Sequence, residues 1–234
     1  MTTAPEPLDR PAAVLWDMDG TIVDTEPYWM RAEVRLVESF GRTWSTEDAM
    51  QLVGSGLENS AILLQRAGVE LEVEQIIDRL TDEVIEQIET EVPWRPGARE
   101  LIAALREAGI PIALVTMSLR RMAVRVADAI GDAVFDVVIA GDDVTEAKPH
   151  PEPYLAAARA LGVDIHHCVA IEDSQFGLAS AISSGAATIG VPLHLALHEG
   201  PTHTLWSTLE GRTVAELTAV VNAHLGFRAQ EVTR

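Results

Sequence analysis

Residues 12–25 read AAVLWDMDGTIVDT and give the strongest local indication of the fold. Its first five residues are apolar, and the run ends abruptly at Asp17, Met18, Asp19 and Gly20. A short apolar run closed by Asp and Gly is typical of a buried strand that enters a loop. The stretch therefore predicts a first strand with two carboxylates, those of Asp17 and Asp19, at its carboxyl end.

Further apolar runs repeat this pattern along the chain, at residues 110–115, 134–140, 169–171 and 186–191. Between several of these runs, apolar residues recur at helical spacing, at residues 98–108, 122–130 and 155–161. Strands that alternate with helices are typical of an α/β fold in which a parallel sheet is doubly wound. We therefore predict a doubly wound parallel α/β sheet.

The stretch 25–94 interrupts this alternation of strands and helices. It contains no convincing strand pattern and has two amphipathic helical patterns, at residues 30–37 and 76–88. A loop between a strand and the next helix usually has about 2–6 residues, so this stretch is too long to be a loop. We predict a small helical domain at residues 25–94, inserted into an α/β core made of residues 1–24 and 95–234. The last ~10 residues of the chain are expected to fray.

Composition and charge exclude several classes of partner. The chain has 17 Lys and Arg against 36 Asp and Glu, for a formal net charge of −19. Nucleic acids and anionic membranes are bound mainly through Lys and Arg, so we expect neither as a partner. The single cysteine, Cys168, has no disulfide partner in the chain. Residues 1–11 lack the apolar segment of a signal peptide, and no apolar run approaches the ~18–20 residues of a membrane span. These features predict a cytoplasmic protein.

Polar side chains follow the predicted strands, where ligands bind in open α/β sheets. Those at the strand ends and in the loop between them are Asp17, Asp19, Thr116, Ser118, Lys148, Glu172 and Asp173. Four carboxylates in one crevice repel one another unless a cation neutralises them, and Mg²⁺ prefers such oxygen ligands. A metal ion with a lysine and hydroxyl groups around it suits a phosphoryl group. One carboxylate could attack phosphorus while a second transfers protons.

Four segments of the chain resemble, in order, the four motifs of the haloacid dehalogenase superfamily. WDMDGTIVDT at residues 16–25 resembles the first motif, and Val115-Thr116 the second. Lys148-Pro149 resembles the third motif, and IEDS at residues 171–174 the fourth. The insert resembles the helical cap that β-phosphoglucomutase and many sugar-phosphate phosphatases of this superfamily carry. The resemblance implies a Rossmann-like core with a small cap.

Carried over position by position, the resemblance implies roles for the acidic residues. Asp17 would be the nucleophile that accepts the phosphoryl group, and Asp19 the general acid and base. Mg²⁺ would be held by the Asp17 side chain, the Asp19 backbone carbonyl and the Asp173 side chain. Glu172 would lie close by, either as a direct ligand or behind the ligands.

The resemblance also implies which residues bind the phosphoryl group, namely Gly20, Thr116, Met117 and Lys148. Lys148 would offset the phosphoryl charge and orient Asp17. The expected function is Mg²⁺-dependent hydrolysis of a small phosphorylated substrate, with a sugar phosphate favoured, through an aspartyl-phosphate intermediate.

Several alternatives stay open at this point. In the β-phosphoglucomutase pattern a histidine follows the first motif and a cap arginine holds a second phosphate, but this chain has Trp29 and Leu57 there. This difference favours a phosphatase over a mutase. Glu26 and Trp29 either line the substrate pocket or serve as a helix start and a core residue. Thr116 could also cap a helix. A phospho-accepting receiver domain and a non-catalytic sugar-phosphate binding protein are the non-enzyme alternatives.

Overall fold

A parallel sheet forms the centre of the structure, a computed structural model that describes residues 6–131 and 133–231. The strands are β1 (Ala13–Trp16), β2 (Ile112–Val115), β3 (Val137–Ile139), β4 (Cys168–Glu172), β5 (Ala187–Gly190) and β6 (His203–Leu205). They lie in the order β3-β2-β1-β4-β5-β6, and all neighbouring pairs are parallel. The predicted doubly wound α/β fold is therefore confirmed. Residues 1–5, part of the stretch 1–11 that was expected to lack a signal peptide, lie outside the described residues.

Helices occupy the remaining regular parts of the chain. Those between β1 and β2 are α1 (Glu26–Ser39), α2 (Thr46–Met50), α3 (Leu57–Arg66), α4 (Val73–Thr90) and α5 (Ala98–Glu107). The later ones are α6 (Arg120–Ile130), α7 (Glu152–Leu161), α8 (Gln175–Ser184) and α9 (Val214–Glu231). In the part of the chain that the structure describes, no helix combines the length and apolar character that crossing a bilayer requires.

Three elements differ from the sequence-based expectation. The short edge strand β6 was not predicted because its sequence, His-Thr-Leu, contains no apolar run. Helix α8 was not predicted because its own residues are mostly small or apolar on every face. It therefore lacks the amphipathic pattern that indicates a helix. The expected fraying at the C-terminus is wrong as far as Glu231, where α9 ends, and residues 232–234 lie outside the described residues.

The order of the strands places a crevice next to β1. From β1 the chain builds β2 and β3 on one side, and it then crosses to add β4 on the other side. Ligands of doubly wound sheets bind at the carboxyl ends of the strands where the order reverses in this way. Asp17 directly follows β1 and Asp173 directly follows β4, so both residues lie at this crevice.

The residues of β1 are apolar because both faces of the sheet are covered. Val14 and Trp16 belong to one apolar cluster, and Ala13 and Leu15 belong to another on the opposite face. All four are completely buried, as expected for a central parallel strand. The first cluster also contains Leu36 of α1, so this helix belongs to the same continuous apolar cluster as β1.

Residues 25–94 leave and rejoin the core at one place. Val23, just before the insert, and Trp94, the last residue of the insert, form an antiparallel bridge. Beside it, the backbone N–H of Asp24 donates to the carbonyl of Pro93 at 2.8 Å. Four helices, α1 to α4, lie between these two crossing points. We therefore propose that residues 25–94, called the helical insert below, form a cap domain.

Candidate active site

Lys148 and Asp17 form a buried ion pair at the crevice. The Lys148 Nζ lies 2.8 Å from Asp17 Oδ1, and their side chains are 6% and 9% exposed. The same Nζ donates to the carbonyl of Val115 at 2.8 Å and lies 2.7 Å from Glu172 Oε1. Burial by itself lowers the pKa of Lys148, but the charges of Asp17 and Glu172 outweigh it and raise that pKa. These contacts therefore favour the cationic form of Lys148 beside the Asp17 carboxylate.

Glu172 lies behind this pair rather than on the open crevice. It is fully buried, and its Oε1 accepts a hydrogen bond from the Tyr154 hydroxyl at 2.5 Å. Burial and the Asp17 charge raise the pKa of Glu172 to about 7. A Cβ on Gly177 would lie 1.9 Å from Glu172 Oε2, so helix α8 can approach this closely only with glycine there. Tyr154 was not predicted as a site residue, because an aromatic residue in a helix is usually part of the apolar core and belongs to none of the four motifs.

Three carboxylates form a cluster that could hold a metal ion. Oxygens of Asp17, Glu172 and Asp173 all lie within 4.8 Å of one another. Asp17 Oδ2 and Glu172 Oε2 are buried and have no hydrogen-bond partner among the described residues. Burial, followed by the charges of Asp17 and Glu172, raises the pKa of Asp173 well above its usual range. Unpartnered carboxylate oxygens at this spacing fit a hard divalent cation such as Mg²⁺.

Asp19 is held by three hydroxyl groups. Its Oδ1 accepts from Thr25 Oγ1 at 2.5 Å, and its Oδ2 accepts from Ser118 Oγ at 2.7 Å and from Thr116 Oγ1 at 3.1 Å. Burial raises the pKa of Asp19, and the nearby Asp17 charge raises it further, against the effect of the hydroxyls. The side chain is thus fixed in position, and its pKa favours the protonated form more than that of an exposed aspartate.

The loop after β1 depends on a glycine and on a buried arginine. Gly20 has a φ of +82°, and a Cβ there would lie 2.0 Å from Asp173 Oδ2. The Arg95 guanidinium donates to the carbonyl of Gly20 and, at 2.9 Å, to that of Val191. Arg95 therefore ties this loop to the end of β5. Sequence reasoning missed Arg95, which is separated from the loop along the chain by the whole helical insert.

The predicted phosphate-binding residues share one cavity of about 480 Å³ with the predicted acidic residues. Its lining includes Asp17, Asp19, Gly20, Thr116, Met117, Lys148 and Asp173. Glu172 does not line it. The residue before helix α6 is Leu119, so Thr116 does not cap that helix. The structure thus brings together every predicted site residue, with Glu172 behind the cavity wall.

The helical insert forms the opposite wall of the cavity. Glu26, Trp29 and Leu57 line it, and so does Glu33, which sequence reasoning missed. Trp29 lines the cavity and also packs against the first apolar cluster, that of Val14 and Trp16. The repeat of apolar residues along α1 explains why Glu33 was missed, since a single acidic residue in an amphipathic helix usually faces solvent.

A comparison with protein families agrees with the motifs. Residues 11–185 match the family described as haloacid dehalogenase-like hydrolase. The matched segment contains β1 to β4, the helical insert and all of the predicted site residues.

Two individual relatives are named as phosphatases of phosphorylated carbohydrates or hexitols. The chain is 31% identical to "Phosphorylated carbohydrates phosphatase" of Thermotoga maritima, over 80% of this chain and 88% of that protein. It is 30% identical to "Hexitol phosphatase B" of Escherichia coli O157:H7, over 88% of this chain and 94% of that protein. Among solved structures, CbbY of Rhodobacter sphaeroides in complex with xylulose-(1,5)bisphosphate superposes with a TM-score of 0.77 at 27% identity, covering 86% of this chain and 96% of that one.

Proposed function

The chain belongs to the haloacid dehalogenase-like hydrolases and is a phosphatase of that family, and from this premise we propose that it hydrolyses a small sugar phosphate with the help of Mg²⁺. One observation carries the proposal: Asp17, paired with Lys148, shares a cavity with Asp19 and Asp173. A nucleophile, a charge-neutralising cation, a proton carrier and a metal ligand are thereby within reach of one phosphoryl group.

In the proposed first step, the Asp17 carboxylate attacks phosphorus. The bond between phosphorus and the ester oxygen breaks, and an aspartyl phosphate forms on Asp17. Protonated Asp19 donates its proton to the departing oxygen, so the sugar leaves as an alcohol. The three hydroxyls around Asp19 hold the carboxyl group in place for this transfer.

In the second step, a water molecule attacks the phosphorus of the aspartyl phosphate. Asp19, now ionised, takes a proton from that water, and the bond between phosphorus and Asp17 breaks. Inorganic phosphate leaves, and both aspartates return to their starting states. In the resting protein Asp17 and Glu172 raise the pKa of Lys148, so Lys148 would meet the phosphoryl group as a cation. Gly20, Thr116 and Met117 line the same part of the cavity and would bind the phosphoryl oxygens.

Mg²⁺ would be held by the side chains of Asp17 and Asp173 and by the backbone carbonyl of Asp19. When bound, it neutralises the carboxylates and offsets the charge of the phosphoryl group. Glu172 has one oxygen occupied by Lys148 and Tyr154, so its contacts suit a residue that positions Lys148. Its unpartnered second oxygen leaves room for a contact with the ion as well.

The relatives support a phosphorylated carbohydrate as substrate, since two of them are named for such activity. Glu26 and Trp29 line the insert side of the cavity, where the sugar would lie, and an aromatic face can pack on a sugar ring. Leu57, which stands where a mutase of this family has its cap arginine, also lines the cavity. This supports a phosphatase over a mutase. A cytoplasmic location, without nucleic acid or membrane partners, remains part of the proposal.

A phosphate-release screen tests the proposed function. Purified protein would be incubated with sugar phosphates, polyol phosphates and phenyl phosphate, with Mg²⁺ or with EDTA. We expect repeated turnover that requires Mg²⁺ and is fastest on a carbohydrate phosphate. A single equivalent of phosphate retained on the protein would indicate a receiver, and binding without any release would indicate a binding protein.

A further inference from the structure

Glu33 is a buried acidic residue without a cationic partner. It lies in helix α1, is 4% exposed and lines the cavity. Its Oε2 accepts a hydrogen bond from Trp44 Nε1 at 3.3 Å, and the described residues provide it with no ion pair. A buried carboxyl group is costly to keep unless hydrogen bonds or charges compensate it. One long hydrogen bond is little compensation, which points to a further partner on the cavity side.

The wall around Glu33 carries a second carboxyl group and no free cation. Glu26 lines the same wall, seven residues earlier in the helix. Among the described residues that line the cavity, the cationic or potentially cationic side chains are Lys148 and His194. Lys148 is already paired with Asp17, and the His194 Nε2 lies 2.7 Å from an oxygen of Asp24. A second anionic group on a substrate would therefore meet two carboxyl groups and no available cation.

The other polar groups of this wall are neutral hydrogen-bonding groups. Ser60 is 8% exposed and faces the cavity together with Asn59, whose amide donates to Ser55 Oγ at 2.6 Å. Trp29 adds an aromatic face. A few convergent polar groups beside an aromatic ring are typical of a site for a small hydroxylated molecule.

We propose that Glu33 is a specificity-determining residue that hydrogen-bonds a hydroxyl group of the leaving group. Together, Glu26 and Glu33 restrict the enzyme to monophosphates whose leaving group is uncharged and polyhydroxylated. This inference rests on the proposed function and deepens it, because it states which phosphate esters the cavity accepts and that bisphosphates are rejected.

The protonation of the two carboxyl groups agrees with a neutral partner. Burial, together with the nearby Glu26 charge, raises the pKa of Glu33 to about 8, although the Trp44 hydrogen bond opposes the shift. Burial raises the pKa of Glu26 to about 7, against the charge of His194. A protonated carboxyl group both donates and accepts hydrogen bonds, as a hydroxyl group does. A neutral hydroxyl therefore satisfies Glu33 without a buried charge.

The central experiment compares two esters with the same enzyme. Values of kcat/KM for sorbitol 6-phosphate and for phenyl phosphate would be measured with wild type and with Glu33→Leu, which keeps the bulk but removes both oxygens. We expect the ratio of sorbitol 6-phosphate to phenyl phosphate to fall about 10-fold or more, because a hydrogen bond to the sugar is lost. Glu58→Gln is the matched control, since it removes an acidic group from an exposed position on the same insert, and its ratio should equal that of wild type.

A purely structural role of Glu33 makes a different prediction. If Glu33 only holds Trp44, then Trp44→Phe, which removes the indole N–H but keeps Glu33, lowers the ratio as much as Glu33→Leu does. We expect the ratio of Trp44→Phe to stay within about 2-fold of wild type, because the hydroxyl-binding group is intact. Equal losses in the two variants would overturn the proposal. If Glu33→Leu fails to fold, Glu33→Met takes its place in this comparison, because methionine also lacks the two carboxyl oxygens.

Two further pairs of substrates test the charge of the wall. The wild-type enzyme should prefer fructose 6-phosphate to fructose 1,6-bisphosphate, because the described residues of this wall offer no free cation to a second phosphate. A wild-type preference for the bisphosphate would show that the cavity accepts a second phosphate, and the proposal would be wrong. If the wild-type enzyme prefers glucosamine 6-phosphate to glucose 6-phosphate by about 10-fold, the wall selects cationic leaving groups and the proposal is wrong.

Phenyl phosphate distinguishes a failure of the proposed phosphatase function from a failure of the role proposed for Glu33. If wild type releases no phosphate from any ester, phenyl phosphate included, the proposed function itself fails. If phenyl phosphate is hydrolysed but wild type prefers it to every hydroxylated ester, or Glu33→Leu leaves the ratio unchanged, only the assignment of Glu33 fails.

Discussion

On the core side of the cavity Lys148 reaches both Asp17 and Glu172, whereas on the insert side Glu33 has a single hydrogen bond from Trp44. We call these the core wall and the insert wall. The acidic groups of the core wall face a buried lysine and, in the proposed function, a metal ion. The insert wall has acidic groups without a cation of its own.

The difference between the walls corresponds to two separate tasks. Charge compensation in the core wall prepares a place for a dianionic phosphoryl group, which every substrate of such an enzyme shares. The insert wall meets the variable part of the substrate, so its polar groups discriminate between leaving groups. Substitutions in the core wall should therefore affect all esters, whereas substitutions in the insert wall should affect some esters more than others.

The largest effect is expected from Asp17→Asn in the core wall. An amide does not attack phosphorus and leaves Lys148 without its counter-charge, so phosphate release should fall by at least about 10⁴-fold for every ester. The measurement is phosphate release over a substrate panel, with the exposed Asp128→Asn as the matched control. Near-wild-type turnover would refute the assignment of the nucleophile.

Asp19→Asn should have the next largest effect. Loss of general acid and base catalysis should lower kcat by about 10²–10⁴-fold. The loss should be greater for sorbitol 6-phosphate, whose alkoxide is a poor leaving group, than for phenyl phosphate. Equal losses with both esters would argue against Asp19 as the acid, because a good leaving group needs little protonation.

Asp173→Ala tests the metal site of the core wall. Removal of one carboxylate from the acidic cluster should raise the Mg²⁺ concentration needed for half-maximal activity by about 10–100-fold. Titration of activity with Mg²⁺, after treatment with EDTA, measures this shift. A titration curve that coincides with that of wild type would exclude Asp173 as a ligand.

The smallest effect concerns stability and belongs to the insert wall. The pKa of Glu33 is raised to about 8 in the folded protein, whereas an unfolded glutamate titrates near 4.5. The folded state therefore binds an extra proton between these values, and stability falls as pH rises through this window. Wild type should lose at most about 2 kcal/mol more than Glu33→Gln between pH 6 and pH 8.

Urea unfolding at both pH values measures this difference. Glu58→Gln, at an exposed position, should keep the pH dependence of wild type. If wild type and Glu33→Gln show the same change in the free energy of unfolding, Glu33 is not a buried group with a raised pKa.

Much of the fold was predictable because strong local patterns agree with it. The apolar run at residues 12–16 corresponds to β1, and the amphipathic patterns at 30–37 and 76–88 fall in α1 and α4. Elements without a local signal were missed. Strand β6 is held at the edge of the sheet by pairing with β5, and helix α8 packs on β4 and β5. Such elements depend on what they pack against more than on their own pattern.

The amino-acid sequence already indicated that acidic residues follow β1 and β4. Parallel strands end at the same edge of a sheet, so a carboxylate after β1 and another after β4 must meet once the strand order is known. The folded structure was needed to show which partners the acidic groups have, such as Tyr154 on Glu172 and Trp44 on Glu33. A hydrogen bond requires two atoms about 3 Å apart, and this proximity arises only when packing brings a helix residue to a strand residue, or a loop residue to a helix residue.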